Sequence, residues 1–251
     1  MHGILVPPET LAAAGAFALG DEAAHHLRDV LRARPGEAVR LADGAGRVRD
    51  AAVAAVSRRE VLVEPRGPVR EEPPPAPAVT LFQCVAKPAR MDWLLEKAAE
   101  LGAARIVPIL SARVVAHVRK GEAPDRWRRI LDAALLQCGG AWRTELAPAV
   151  DWAGAADAMR AFRNAGGALL AGSLAPGARP LGETILAFRS RPEGPPAAWG
   201  WLVGPEGDFA PEELAEALGP LGAAPVTLGR RVLRVETAAL QGLAAIRAFG
   251  G

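Results

Sequence analysis

Apolar and polar positions change their period along this chain, and the change divides it in two. Ala38-Val39-Arg40-Leu41-Ala42 and Arg47-Val48-Arg49-Asp50-Ala51-Ala52-Val53 alternate with the two-residue period of half-buried strands. Val61-Leu62-Val63 adds another strand, and Glu22 to Leu31 is the one helical stretch of this part. The pattern predicts a small β-barrel. Asp43-Gly44-Ala45-Gly46 lies between two strands, so its glycines belong to a hairpin and not to a phosphate loop, which must open a helix. Glu71-Glu72-Pro73-Pro74-Pro75-Ala76-Pro77 then breaks all periodicity, because proline fits neither a helix interior nor a central strand. We therefore expect a module over 1–72 and a linker over 73–77.

From residue 78 onward, strand-like apolar runs alternate with helical periods. Val79 to Val85 leads into a helix from about Met91 to Leu101, Arg105 to Leu110 is a strand, and Pro124 to Gln137 is a helix. Gly167 to Ala171, Trp199 to Val203 and Pro225 to Gly229 are further strands, and a last helix starts near Glu236 with Leu240, Leu243, Ile246 and Phe249 at helical spacing. Strand then helix, repeated, predicts an α/β domain with a parallel sheet over 78–251. Two of its strands end in glycine loops, Gly204-Pro205-Glu206-Gly207-Asp208 and Leu228-Gly229-Arg230-Arg231-Val232-Leu233-Arg234. Pro211 with Glu212 and Glu213 marks the helix that follows the first. Loops at the carboxyl ends of neighbouring parallel strands form the crevice where such sheets hold small ligands. No Gly-x-Gly-x-x-Gly follows the first strand of this part, which argues against a nicotinamide-binding Rossmann enzyme.

Composition narrows the picture little. Thirty basic residues face 28 acidic ones, a net charge of +2 that neither demands nor excludes nucleic acid. Residues 1–72 carry ten Arg against eleven acids, with Arg28, Arg32 and Arg34 beside His25-His26 as the best local cluster. The two cysteines, Cys84 and Cys138, are far apart, and the four histidines (His2, His25, His26, His117) have no metal-ligand spacing, so no metal is expected. No apolar run approaches the ~18 residues of a membrane span, and no leader is expected before the first strand. A cytoplasmic protein is expected.

Several ordered motifs together resemble one family. Leu202-Val203-Gly204-Pro205-Glu206-Gly207 and Leu228-Gly229-Arg230-Arg231-Val232-Leu233-Arg234-Val235-Glu236-Thr237-Ala238 are similar to the signature pair of the ribosomal RNA small subunit methyltransferase E family, of the SPOUT class. Lys87-Pro88-Ala89-Arg90-Met91-Asp92, Glu96 to Gly102, Gln137-Cys138-Gly139, His25-His26-Leu27 and Val30-Leu31-Arg32 extend the likeness over most of the chain. The resemblance implies a PUA-like RNA-binding barrel before a trefoil-knotted SPOUT domain. It also implies S-adenosylmethionine as cofactor, methylation of N3 of a uridine in small-subunit (16S) ribosomal RNA, and a homodimer. Ribosomal RNA or the small subunit is then the partner, and the helix carrying Leu240, Leu243 and Ile246 is one candidate for the dimer face.

By the same resemblance, Ser173 and Leu174 after one strand, Leu202, Val203, Gly204, Pro205, Glu206 and Gly207 after the next, and Leu228, Gly229, Val232, Leu233, Arg234, Thr237 and Ala238 after the last would hold the cofactor. Arg28, Arg32, Arg34, Lys87, Arg90, Arg143 and Arg230 are the candidate RNA contacts. Removing the N3 proton of uridine calls for a base or a charge stabiliser; Arg234 suits the second role and Glu236 either a chemical or a helix-terminal one. The chain departs from the family pattern at Gly140, where Arg is usual, at Asp208, where Gly is usual, and at Val235 for Thr; it also lacks the usual Arg near the N-terminus. Arg143 is placed to compensate for Gly140. Two alternatives remain: methylation of another RNA site, and a non-catalytic RNA-binding or assembly protein on the same fold.

Overall fold

The computed structural model describes residues 2–114, 118–175 and 177–251, so His117 lies outside the described residues. Two compact units emerge, residues 1–74 with 132–143, and residues 75–131 with 144–251.

The first unit contains β1 (His2–Leu5), α1 (Pro8–Leu11), β2 (Phe17–Ala18), α2 (Asp21–His25), β3 (Ala38–Ala42), β4 (Arg47–Val56) and β5 (Val61–Glu71). Its sheet runs β1-β3-β4-β5-β2, with β1 parallel to β3 and every other pair antiparallel. The alternation read from the sequence is realised: Val39, Leu41, Val53, Val61 and Val63 point into one core with Ile4, Leu11 and Leu27. The expected helix over 22–31 continues from α2 as a π-helical turn, His26–Val30. It stops where Arg32 takes the left-handed conformation, φ 52°. The residues 43–46 form the β3–β4 hairpin. Gly46, at φ 95°, leaves room for the Trp142 ring, whose Nε1 donates to the Glu72 carbonyl at 2.8 Å. This packing brings 132–143 into the first unit, whereas sequence order had assigned it to the 78–251 domain.

The second unit holds β6 (Val79–Cys84), α3 (Pro88–Glu100), β7 (Arg105–Leu110), the start of α4 (Asp125–Cys138), β8 (Glu145–Leu146), β9 (Val150–Asp151) and α5 (Trp152–Asn164). After these come β10 (Ala168–Gly172), β11 (Arg179–Pro180), α6 (Leu181–Arg189), β12 (Trp199–Val203), α7 (Pro211–Leu218), β13 (Ala224–Thr227) and α8 (Val235–Phe249). All strands are parallel, in the order β11-β13-β10-β12-β6-β7-β8, with β9 also on β7. Helices α5 and α6 were not read from the sequence, and β13 ends at Thr227, leaving Leu228 and Gly229 to the loop.

Because later strands insert between earlier ones, the strand order reverses around β10 and β12, and the loops after β10, β12 and β13 open at the same edge. Helix α8 returns to pack on α3, α6, β12 and β6. Trp199 and Trp201 are fully buried; Trp201 fits against α8 because Gly242 has no side chain to meet its indole, and its Nε1 donates to Ala238 O at 3.3 Å. On α8 the predicted stripe is split. Leu243 and Ile246 are fully buried in the protein's own core, Leu240 is half-buried and Phe249 is exposed. Among the described residues no helix is long and apolar enough to cross a membrane, and no group of three metal-ligating side chains occurs.

Candidate active site

The three loops at the carboxyl edge of β10, β12 and β13 surround a cleft of about 530 Å³, a volume suited to a nucleoside-sized ligand. Each wall has a physical origin in its sequence. After β10, the backbone N–H of Ser173 donates to Val226 O at 2.9 Å, and the Ser173 hydroxyl accepts from Ala175 N at 3.1 Å, which turns Leu174 outward. After β12, Gly204 packs tightly: a Cβ there would stand 3.0 Å from the buried Phe209 ring, which sits edge-on to Trp152. Asp208 holds φ 60°, a conformation suited to glycine, and its Oδ1 accepts from the Phe209 N–H at 2.8 Å. It does not cap the helix. That task falls to Glu213, whose carboxylate accepts from Ala210 N at 2.9 Å and from Ala112 N at 2.8 Å, tying the loop after β7 to α7. After β13, Gly229 takes φ 121°, and the Thr227 hydroxyl bonds to its backbone N–H and carbonyl.

Most of the expected cofactor residues line this cleft: Ser173, Leu174, Val203, Gly204, Pro205, Glu206, Gly207, Leu228, Gly229, Val232, Leu233, Arg234 and Ala238. Two do not. Leu202 is fully buried in the sheet core and Thr237 faces away on α8, because a strand alternates its faces and a helix rotates 100° per residue. Gly172, Trp201, Asp208, Val226, Arg231 and Val235 also contribute to the lining. Trp201 and Val226 were read only as strand residues; their reach to the cleft comes from the pairing of β10 with both β12 and β13, which no local signal encodes.

The candidate RNA contacts fall into different places. Arg90 enters the cleft itself, where its Nη1 donates to Glu206 Oε1 at 3.1 Å and its Nε lies 3.8 Å from Glu236 Oε1. Lys87, at the N-cap of α3, and Arg230 are exposed. Arg230, Arg231 and Arg234 form no ion pair among the described residues, whereas Arg90 does. In the first unit Arg32 and Arg34 are exposed, while Arg28 is neutralised by a bidentate contact to Asp29. Asp29 is held below the usual carboxylate range chiefly by that hydrogen bond from Arg28. Arg143 is paired with Asp132, at 2.8 and 3.0 Å, on the surface.

Of the two candidate catalytic residues, Arg234 is exposed at the N-cap of α8 and Glu236 is buried in its first turn, 8% exposed, with Oε2 lacking any hydrogen-bond partner. The cleft thus combines apolar walls, exposed backbone at glycine, three guanidinium groups and the carboxylates of Glu206 and Asp208. Such a mixture fits a ligand with an aromatic base, hydroxyls and a zwitterionic tail.

Comparison with known proteins gives the same direction. The RNA methyltransferase domain family matches residues 72–247, and the RNA methyltransferase PUA domain family matches residues 19–66. The ribosomal RNA small subunit methyltransferase E of Mycobacterium bovis is 34% identical over 253 residues, covering 98% of this chain and 92% of its own. Among solved structures, the ribosomal RNA small subunit methyltransferase E of Neisseria gonorrhoeae, bound to S-adenosyl methionine, superposes with a TM-score of 0.83 at 28% identity, over 99% of this chain and 97% of that one. A Legionella pneumophila methyltransferase in complex with the same cofactor gives 0.78 at 29% identity, over 98% and 96%. With motifs, fold, cleft and full-length relatives in agreement, the chain belongs to the ribosomal RNA small subunit methyltransferase E family.

Proposed function

We propose that this protein methylates N3 of a uridine in small-subunit ribosomal RNA, using S-adenosylmethionine held in the cleft. That it is an S-adenosylmethionine-dependent RNA methyltransferase follows from its family; the atom and the base are our reading. The observation that carries it is that Arg90 and Arg234 line one cleft together with both glycine loops, with the buried Glu236 carboxylate 3.8 Å behind Arg90. When bound, the cofactor supplies an electrophilic methyl group. Leu228, Gly229, Leu233 and Ala238 would receive its base and ribose, with Glu206 and Asp208 as hydroxyl or ammonium acceptors.

The chain's own residues then have to handle a proton and a charge. An imide N3–H must be lost before nitrogen can take a methyl group, and negative charge spreads onto the flanking carbonyl oxygens. Arg234, exposed and without an ion-pair partner among the described residues, is free to meet that charge as it develops. Glu236 offers a carboxylate with an unmet acceptor oxygen, suited to receiving the proton. Leu174 and Val232, 65% and 79% exposed, are apolar side chains on the rim that an incoming RNA would cover, removing water from the reacting atoms.

The test is nucleoside mass spectrometry of small-subunit RNA after incubation with protein and S-adenosylmethionine. N3-methyluridine is expected from the wild type. Arg234→Ala should lower kcat by ~10²–10³ while leaving cofactor affinity mostly intact, the signature of a contact made in the transition state. A methyl on another atom would establish a different RNA site, and bound cofactor without turnover on naked RNA or assembled subunits would establish the non-catalytic alternative.

A further inference from the structure

Arg90 stands where simple helix electrostatics disfavours it. It occupies the first turn of α3, the positive end of the helix dipole, and that turn carries no acidic residue and no side-chain cap. A cation kept at such a position needs compensation from elsewhere. Two carboxylates supply it, one from each glycine loop region: Glu206 in the loop after β12 and Glu236 in the first turn of α8.

The two contacts differ in kind. Glu206 is a partly exposed loop residue and takes a hydrogen bond at 3.1 Å. Glu236 is buried, its Oε1 sits at 3.8 Å from Arg90 Nε, beyond hydrogen-bond reach, and its Oε2 is unpartnered. A buried carboxylate with one unmet oxygen is costly unless a charge lies close by, and Arg90 is the one cation within ion-pair distance of it among the described residues. Arginine fits this bridging role because its planar fork carries five donors in fixed directions, while lysine presents a single ammonium.

We propose that Arg90 is a positioning residue of the reaction, tying the two cofactor loops together and holding the buried Glu236 carboxylate in one orientation behind the cleft wall that Arg90 lines. The proposal replaces the expectation that Arg90 contacts RNA phosphate, and it rests on the reading of Glu236 as a participant in proton removal. It gives the network a division of labour. Glu206 anchors the guanidinium, the guanidinium orients Glu236, and neither of the first two needs to touch the reacting atoms.

Steady-state methyl transfer and calorimetric S-adenosylmethionine binding in R90Q, R90K, E236Q and the R90Q/E236Q double variant test this. We expect R90Q to lower kcat by ~10-fold to 10²-fold with the RNA KM within about threefold of wild type. R90K should recover part of kcat, and the double variant should be no slower than E236Q alone, because a positioning residue has nothing to act on once its carboxylate is gone. Thermal midpoints of all four identify any variant that has lost its fold, and R90K, which keeps the charge, remains informative if R90Q unfolds. A rise confined to the RNA KM would return Arg90 to RNA binding, weaker cofactor binding with normal kcat would make it a cofactor contact, and additive losses in the double variant would uncouple it from Glu236; each overturns the proposal. Product analysis of the wild type separates these outcomes from a failure of the uridine-N3 reading itself.

Discussion

Single residues in this protein carry consequences that can be measured without its substrate. Asp43 is buried in the β3–β4 hairpin and accepts from Ala45 N, Arg47 N and Arg47 Nε. Burial opposes its charge, yet the hydrogen bonds from Ala45 and Arg47 outweigh burial and hold the carboxyl below its ordinary range. Since the folded value is the lower one, the stabilisation is complete above about pH 4 and disappears as pH falls through the folded-state value. Asp43→Asn should cost about 1–3 kcal/mol at neutral pH, and denaturant titrations should show that difference shrinking as the solution is acidified below about pH 4. The two thiols diverge as well. Burial pushes Cys84 up to about 12, against a smaller pull from Ser111, while Cys138 is exposed. A thiol reagent at pH 8 should therefore modify one cysteine in the native protein and two after denaturation.

Elements show where sequence reading succeeds and where it stops. The glycine loops were legible because turns and helix starts carry local chemical signals, and Pro211 with Glu213 marked α7 correctly. Helix α5 was missed although Asp151 caps it, accepting from Gly154 N at 3.0 Å, because its buried face is Ala155, Ala156 and Met159, a stripe too small to stand out as apolar. The membership of 132–143 in the first unit depends on Trp142 meeting Gly46, a contact of residues almost a hundred positions apart. Leu202, expected beside the cofactor, puts its side chain into the core for a similar reason: motif membership does not say which way a strand residue faces. At α8 the packing is tight enough to predict its failure. Gly242→Ala should place a methyl group into the Trp201 indole and, despite the better helix propensity of alanine, lower stability by about 1–3 kcal/mol. A lower thermal midpoint together with weakened cofactor binding is expected, since Trp201 also lines the cleft.

At the scale of the whole molecule, the proposed homodimer would draw on residues of α8 and its neighbours other than the buried pair Leu243 and Ile246. With Leu243 and Ile246 consumed by the core, the large apolar side chains left exposed in the second unit include Trp93 on α3, Leu186 on α6 and Phe249 on α8. Helices α3 and α6 both pack on α8. Light scattering at micromolar concentration should give twice the 26.2 kDa of one chain, and Trp93→Glu should shift that mass toward the monomer. S-adenosylmethionine should raise the thermal midpoint of the protein, because a ligand that binds only the native state stabilises it by mass action. The burial against Gly242 of Trp201, a residue that also lines the cleft, has an optical consequence. The chain contains no tyrosine and six tryptophans, so its intrinsic emission is dominated by indole, and one of those residues lines the cleft. Loading the cleft should change the intrinsic fluorescence of the unlabelled protein, and the amplitude should fall in Trp201→Phe, giving the molecule a built-in reporter of its own occupancy.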